Sequence, residues 1–493
     1  MIILLIKEQI MDEVRKSSFK YLEFLTDNEV RDIHNATLSV LESVGVKVYH
    51  EKALHMLGDA GAKVDLKSQI ARIPAGVVEE WITKAPNSFT LYARDENNNL
   101  NFQDGITHYV AAHTTPFVYD LETGARKSAT YEDAQNFSKL SDYLEYIADG
   151  YCMVFPQDVP DCSVHAYILM AQIENSDKVF KGRINGKVIA KDCIYMAEMI
   201  AGGENELKKN PNMMALMNCL SPLMLDKAQV EGLMEYAKKG LPAIIASEVM
   251  SGATGPVTLA GTIVQQNAEI LPHIIIAQMI NPGTPVIYGS ASSIMDMKTS
   301  TLRYGAIEEG LIDVAVAQLA RFYKIPSRIS AGCTDSKMLD MQAGFESAKN
   351  LALASLSGAN YVSYAAGGLD SALSTSYEKV VIDHENIKNM VRAQKGIKIN
   401  QETLAVNVIK DVGPGGQYLT HNQTLEKFKE EHLIPELVNT ANYEDWEKMK
   451  MKDIRDRARE KVKNILKTHT PPPLDQNLNK ELNEFIKNIE KRS

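Results

Sequence analysis

The sequence predicts an α/β fold, a (β/α)8 barrel of the TIM kind with an N-terminal helical cap and a C-terminal helical extension. Two observations carry that expectation. Between residues 107 and 392, short apolar runs rich in β-branched and aromatic residues give way eight times to longer segments of helical periodicity. Eight βα units are the arithmetic of the barrel, although a doubly wound sheet uses the same local unit. The polar residues best suited to chemistry also follow the apolar runs directly, where barrel enzymes carry their function.

The expected regions are a cap at 1–106, a barrel at 107–396 and an extension at 397–493. A chain of 493 residues with 45% hydrophobic and 24% charged residues can bury a large core, as soluble globular enzymes do. Its formal charge of −10 argues against nucleic acid or a membrane surface as partner, because phosphate binding needs concentrated Lys and Arg. The opening "MIILLI" lacks a basic flank and a small-residue cleavage site, and no segment approaches the roughly 20 apolar residues of a membrane span. A cytoplasmic protein is expected. Five cysteines, none in a CxC or CxxC pair, read as free thiols in a reducing compartment. No metal site is expected.

In the cap, Thr26 and Glu29 form a capping box, Val30, Ile33, Leu41 and Val44 recur at helical spacing, and Gly45 ends the helix. "IPAGVVEEWITKAP" starts a further helix behind Pro74, and "SFTLYAR" reads as a strand. The eight barrel strands are expected at 107–111, 151–155, 178–182, 214–218, 243–247, 285–289, 327–331 and 360–365. Helical patterns such as "DKAQVEGLMEYAKKG" and "GLIDVAVAQLARFYK" separate them. Beyond residue 397, charged helices alternate acid, base and apolar positions, and "PPPL" breaks the chain stiffly before the last helix. They form either a solvated tail packed on the barrel or a docking surface.

Reading the loops after the expected strands gives His113, Phe155, Arg183, Glu248, the cluster Asp335, Ser336 and Lys337, and the strand-end tyrosines Tyr361 and Tyr364. Each has a structural alternative. His113 could be a satisfied buried histidine, Glu248 a cap or ion-pair residue, the tyrosines core, and Lys337 a helix-start residue. No GxGxxG or Walker pattern supports a nucleotide, and no HExxH supports zinc.

The blocks "SGATGPVTLAGTIVQQNAEIL", "VIYGSASSIMDMKT", "TDSKMLDMQAGFE", "GANYVSYAAGGLDSALSTSYEKVVID" and "YEDWEKMKMKDIRDRAREKVKNILKTHTPPPL" resemble the trimethylamine:corrinoid methyltransferase superfamily. "EFLTDNEVRDIHNATLSVLESVGVKV" and "VYDLETGARKSATYEDAQNFSKL" fit it as well, so the resemblance runs from about residue 22 to 486. It implies a barrel whose mouth receives a methylated amine and the cobalt(I) corrinoid, a cobalamin, of a partner protein. Founding members carry pyrrolysine near the segment spelled here "GCTDSK", whereas this chain has only standard residues. Members without pyrrolysine resemble demethylases of glycine betaine and related quaternary amines.

A quaternary ammonium is already charged and leaves as a neutral tertiary amine, so no acid, base or covalent residue is expected. The protein's tasks are to orient one N-methyl group and exclude water. Under this reading Phe155, Tyr361 and Tyr364 cage the ammonium, Glu248 and Asp335 add a distant negative field, and His113, Arg183, Ser336 and Lys337 bind the betaine carboxylate. Lys337 is an anchor or a helix start rather than a covalent catalyst. Two alternatives remain: a zinc-dependent corrinoid methyltransferase using Cys219 or Cys333 with a histidine, and a non-catalytic betaine or corrinoid-protein scaffold. A homo-oligomer is expected.

Overall fold

The computed structural model describes residues 20–492, so the apolar opening at 1–6 lies outside the described residues. Seven parallel strands build the central sheet. They are β1 (His108–Ala111), β2 (Phe180–Gly182), β3 (Met213–Cys219), β4 (Ala243–Ser247), β5 (Val286–Ser290), β6 (Ser327–Ser330) and β7 (Tyr361–Ala366). Their spatial order is β1-β7-β6-β5-β4-β3-β2, so the first and last strands in sequence are neighbours, paired Tyr361 to His108. A sheet in that order curls round on itself, with helices over its outer face.

Seven of the eight expected strands are present, and the run 151–155 is the exception. Met153 sits at φ 58°, a left-handed conformation that breaks a strand, and the run keeps a single bridge, Val154 to Thr115. Residues 147–150 lie between the two sheet edges instead, joined by one parallel bridge to β1 (Ile147 to Tyr109) and one beside β2 (Asp149 to Val179). Buried Lys178 secures this segment. Its ammonium donates to the carbonyls of Ser141, Leu144 and Ile147 at 2.7, 2.9 and 2.6 Å, satisfying all three donors. Gly150 is required there, since a Cβ would come within 2.6 Å of Ser176.

Strand residues alternate between the two faces of the curled sheet. Outward residues such as Met217, Ile245, Tyr288 and Ile329 join the main core beneath the helices. Inward residues near the strand starts, Val110, Met214, Ile244, Ile287 and Tyr361, form a second core with Leu91, Leu100 and Phe102. The last three come from a hairpin, Phe89–Leu91 paired antiparallel with Leu100–Phe102. Fully buried Phe102 stacks on Phe89 at 4.6 Å and on Tyr361 at 6.0 Å. The hairpin thus plugs the N-terminal end of the sheet.

The N-terminal region has the expected capped helix, Asp27–Ser43, with both capping-box hydrogen bonds made. Three-residue strands at Val46–Val48, Lys63–Asp65 and Ile70–Arg72 accompany it, too short to have shown a period in sequence. This helix lies along the outer helix Leu259–Ile280, where Asn267 donates to Thr37 at 3.0 Å and to Tyr323 at 2.7 Å. At the other terminus, Ile454–Thr468 packs on Tyr377–Gln394, and Arg459 pairs with buried Glu378 at 3.0 Å. No described helix is long and apolar enough to cross a membrane.

If the hairpin closes the sheet, removing its central ring opens a cavity that neighbours cannot fill. Phe102→Ala should lower unfolding free energy by about 3–5 kcal/mol in denaturant titration. A loss below about 1 kcal/mol would mean that the plug is dispensable.

Candidate substrate site at the C-terminal ends of the strands

With one end filled by the hairpin, the opposite end is where loops can converge on a pocket. The backbone prepares it at β7. Strand pairing with β1 slips between Val362 and Ala366, and Tyr364, inside that bulge, sits at φ 54°. A bulge re-aims a side chain that strand alternation would send elsewhere, and a left-handed tyrosine persists only where its surroundings hold it. Here the Tyr364 hydroxyl donates to the His113 carbonyl at 2.8 Å, and the two rings lie 4.5 Å apart.

From that contact an arc of side chains runs across the strand ends. Tyr364 stacks beside Tyr304 at 6.3 Å with ring planes 17° apart, and Tyr304 donates to the Glu248 carboxylate at 2.9 Å. Asn218, at the end of β3, donates to the other Glu248 oxygen at 2.9 Å. In the other direction the His113 ring meets Tyr151 edge-on at 6.0 Å, and the Arg183 charge bears on the Tyr151 phenol, partly offsetting the upward push of burial. Arg183 also lies 5.7 Å from the centre of the Phe155 ring. The arc has a carboxylate at one end, a guanidinium at the other and three tyrosines with an imidazole between.

Beneath the arc the sheet interior is charged and paired. Buried Lys181 meets Asp149 at 3.1 Å and lies over the Tyr151 ring at 4.3 Å, while Tyr361 donates to Asp149 at 2.6 Å. Arg328, 1% exposed, donates to the Ser363 hydroxyl at 2.9 Å and to the Ser290 carbonyl. These cations bear on His113, whose Nε2 is buried without a hydrogen-bond partner. Burial first, then Lys181, Arg328 and Arg183, hold its imidazole well below the usual histidine range. Burial and the Glu248 carboxylate likewise push the Tyr304 phenol well up.

The structure therefore brings together His113, Phe155, Arg183, Glu248 and Tyr364 from the sequence expectation, and it separates the rest. Tyr361 is not at the strand end, because the hairpin's Phe102 and Asp149 hold it in the lower core. Asp335 accepts from Ser371 at 2.8 Å and faces Arg303 at 3.6 Å on the rim. Ser336 is buried and bonds Asp340, the N-cap of the helix Met341–Leu356. Lys337 is mostly exposed, donates to the Asp335 carbonyl at 2.7 Å and reaches Asp370 at 3.4 Å. All five cysteines are unpaired. The Cys219 thiol is 3.5 Å from His273, and the described residues contain no group of three His, Cys, Asp or Glu side chains able to hold a metal ion.

Sequence reading missed Tyr151, Tyr304, Asn218, Lys181 and Arg328. Alternation along β3 (Met214, Leu216, Asn218) marks Asn218 as an inward polar residue at a strand end, a signal available in sequence. Tyr304 lies 14 residues beyond the end of β5, so its approach to Tyr364 depends on the loop's path.

A neutral His113 has a spectroscopic consequence. Its folded-state affinity for protons is depressed, so it contributes stability above the free-imidazole value of 6.5 that is lost as pH falls below it. In spectra of the protein carrying labelled histidines, the His113 ring signal should hold its neutral position from about pH 8 to pH 6. A midpoint near the free value would put the ring in water.

The sequence matches the family model described as trimethylamine methyltransferase over residues 6–492. A glycine betaine methyltransferase of Desulfitobacterium hafniense (strain Y51) is 40% identical over 463 residues, which cover 94% of this chain and 96% of that one. The trimethylamine methyltransferase MttB of Desulfitobacterium hafniense (strain DSM 10664 / DCB-2) is 33% identical over 476 residues, covering 94% and 93%. Among solved structures, the monomethylamine methyltransferase MtmB of Methanosarcina barkeri superposes with a TM-score of 0.49 at 10% identity, covering 93% of this chain and 92% of that one. A family match that spans the strands, the loops of the arc and both terminal regions makes this chain an enzyme of the trimethylamine methyltransferase family.

Proposed function

We propose that this enzyme takes one methyl group from a quaternary amine, with glycine betaine as the substrate, and passes it to the cobalt of a corrinoid held by a partner protein. The observation that carries the reading is the polarity of the arc: Glu248 at one end, Tyr304, Tyr364, His113 and Tyr151 between, Arg183 at the other. Glycine betaine has the matching order, a permanent cation separated by one methylene from a carboxylate. Greater identity to a glycine betaine methyltransferase (40%) than to a trimethylamine methyltransferase (33%) supports the same choice.

Under this proposal the aromatic faces of Tyr364 and Tyr304, with Phe155 nearby, hold the ammonium at roughly 0.5–2 kcal/mol per good contact. The carboxylate takes the charge-assisted donors of Arg183 and the unpartnered Nε2 of His113 as its neutral N–H tautomer. Glu248 is engaged by Tyr304 and Asn218, which keeps it from closing directly on the cation. That restraint matters, because a carboxylate in contact would favour the charged ground state over a transition state in which the charge disperses. Asp335, Ser336 and Lys337 serve the rim, and Tyr361 supports the floor.

The corrinoid enters as co-substrate and supplies a Co(I) nucleophile. Exposed apolar side chains on the loops after β4 to β7 and on the first turns of the helix Met341–Leu356, Val257, Met297, Met338, Met341, Phe345 and Leu373, fit the face of a corrin ring or its carrier protein. The chain's own residues orient the N-methyl group toward that rim and exclude water, and no proton needs to move. The same reading takes residues 147–150 as the eighth strand of a closed barrel at 107–396, between a cap and a C-terminal extension. Five unpaired thiols support a cytoplasmic setting.

A panel of methyl donors with reduced cobalamin, read by the spectral change from Co(I) to methyl-Co(III), tests the substrate. Glycine betaine should give dimethylglycine one-for-one with methylated corrinoid and stop there, and trimethylamine should be inert. Demethylation of trimethylamine or further conversion of dimethylglycine would sink the proposal.

The two ends of the arc can be tested separately. Tyr364→Ala should reduce kcat/KM for betaine about tenfold, or roughly 1.4 kcal/mol. Arg183→Leu should cost at least as much for betaine while leaving tetramethylammonium, which has no carboxylate, nearly unaffected. Equal losses on both substrates would remove Arg183 from the carboxylate site.

A further inference from the structure

The carboxylate end of the arc is built where the sheet gives out. Strands β3 and β4 pair in register as far as Cys219 and Ser247. Asn218 is the last inward residue of β3, and Glu248 is the first residue past β4. Asn218 is exposed and Glu248 only half-buried, so packing does little to hold either side chain. Yet the two meet at 2.9 Å, and Tyr304 donates to the same carboxylate.

Behind them lies a carboxyl group that the arc does not use. Glu269, on the outer helix Leu259–Ile280, is fully buried and accepts four hydrogen bonds. Its Oε2 takes the hydroxyls of Ser221, at 2.8 Å, and Ser247. Its Oε1 takes the Leu223 N–H at 2.9 Å and the Gln265 side-chain amide at 3.0 Å. Three of those donors belong to the two strand ends: Ser247 directly precedes Glu248, and Ser221 and Leu223 lie on the loop that leaves β3. Alternation along β4 sends Ser247 outward to the helix and Glu248 inward to the arc. Burying a carboxyl group costs free energy that an apolar side chain of similar size would not, so packing alone does not account for Glu269.

We propose that Glu269 is a positioning residue for the cation end of the site, a role whose catalytic consequence rests on the betaine reading above. It anchors both strand ends from the outside, so that Asn218 and Glu248 meet on the inside and Glu248 stays engaged at its set distance from the ammonium. Hydrogen bonding, and not charge, carries this role. The Leu223 N–H and the Gln265 amide can only donate, so Oε1 must accept, whereas the two serine hydroxyls can donate or accept. A glutamine would satisfy the same four partners, its carbonyl taking the two N–H donors and its NH2 giving one hydrogen to each hydroxyl. Burial pushes the Glu269 carboxyl group up against the pull of those four hydrogen bonds, in keeping with a role that needs no ionised form.

Crystal structures of the unaltered protein, Glu269→Gln and Glu269→Ala test the geometry without any substrate. The Asn218–Glu248 hydrogen bond should persist in Glu269→Gln and be lost in Glu269→Ala, with the Glu248 carboxylate displaced by about 1 Å or more, a misplacement large enough to matter for catalysis. An unmoved pair in Glu269→Ala would overturn the proposal, whatever the substrate proves to be. Kinetics read the consequence. Glu269→Ala should lower kcat/KM at least about tenfold for betaine and tetramethylammonium alike, since both present a cation, and Glu269→Gln should stay within about threefold of the unaltered enzyme. In a Glu248→Gln background the loss from Glu269→Ala should largely vanish, because Glu269 acts through Glu248. No loss, an additive loss, or a glutamine variant as impaired as the alanine one would also overturn the proposal. If Glu269→Ala does not fold, Ser247→Ala, which leaves Glu269 three of its donors, takes its place in each measurement. An unaltered enzyme that turns over neither cation would count against the betaine reading instead, and the crystal structures would then decide the role of Glu269 on their own.

Discussion

Everything at the site depends on how the interior of the curled sheet is filled. A sheet curling round on itself leaves an inner space that side chains must occupy, and here the lower part is filled by an added hairpin. Phe102 inserts between Phe89 and Tyr361 and turns the strand starts into a dry floor. The inward residues above that floor can therefore be polar and charged without opening the chain to water from below. Lys181 with Asp149, and Arg328 with Ser363, are affordable there because each is paired or hydrogen-bonded.

The floor also fixes the electrostatics of the arc. Burial, and after it the cations below His113, keep its imidazole neutral, which retains both a donor and an acceptor nitrogen where a charged ring would have two donors. Local backbone strain then completes the geometry. Tyr364 is left-handed within a bulge, and Asp370, Ser371 and Ala372 are left-handed in succession on the loop that follows. Such residues cost of order 1–3 kcal/mol each and persist where other contacts over-determine them. Here the backbone N–H groups of Asp370 and Ser371 donate to the Ser336 and Thr334 carbonyls at 2.9 and 3.0 Å, and buried Lys379 ties Gly332 to Asp383. The "TDSK" cluster, conspicuous as a motif, therefore serves largely to brace the rim beside the arc.

Buried polar networks recur wherever a terminal region meets the sheet-and-helix body. Asn267 joins Thr37 to Tyr323 and accepts from Tyr288 at 3.0 Å, so the N-terminal helix is registered by directional bonds as well as by apolar contact. Glu378 plays the same part for the C-terminal helix through Arg459. The sequence shows these residues only as polar interruptions in helical patterns, because their partners are 21 to 230 residues away.

What the sequence determined by itself is the part that depends on short-range pattern. Seven strands, the capped first helix and the unpaired cysteines were legible because alternation, capping pairs and spacing act within a few residues. His113, Phe155, Arg183, Glu248 and Tyr364 were legible for a related reason, since a strand's end predicts where its next residues emerge. The tertiary structure decided what such patterns cannot encode. Met153's left-handed backbone broke the second expected strand, and Lys178's bonds to three carbonyls secure residues 147–150 between the two sheet edges. The hairpin drew Tyr361 downward while a bulge turned Tyr364 to His113, although only two residues separate the two tyrosines. Tyr151 and Tyr304 entered the arc from a broken strand and a long loop. In each case the deciding contact is made by chain distant in sequence, and one bulge or one buried cation is enough to change which side chains meet.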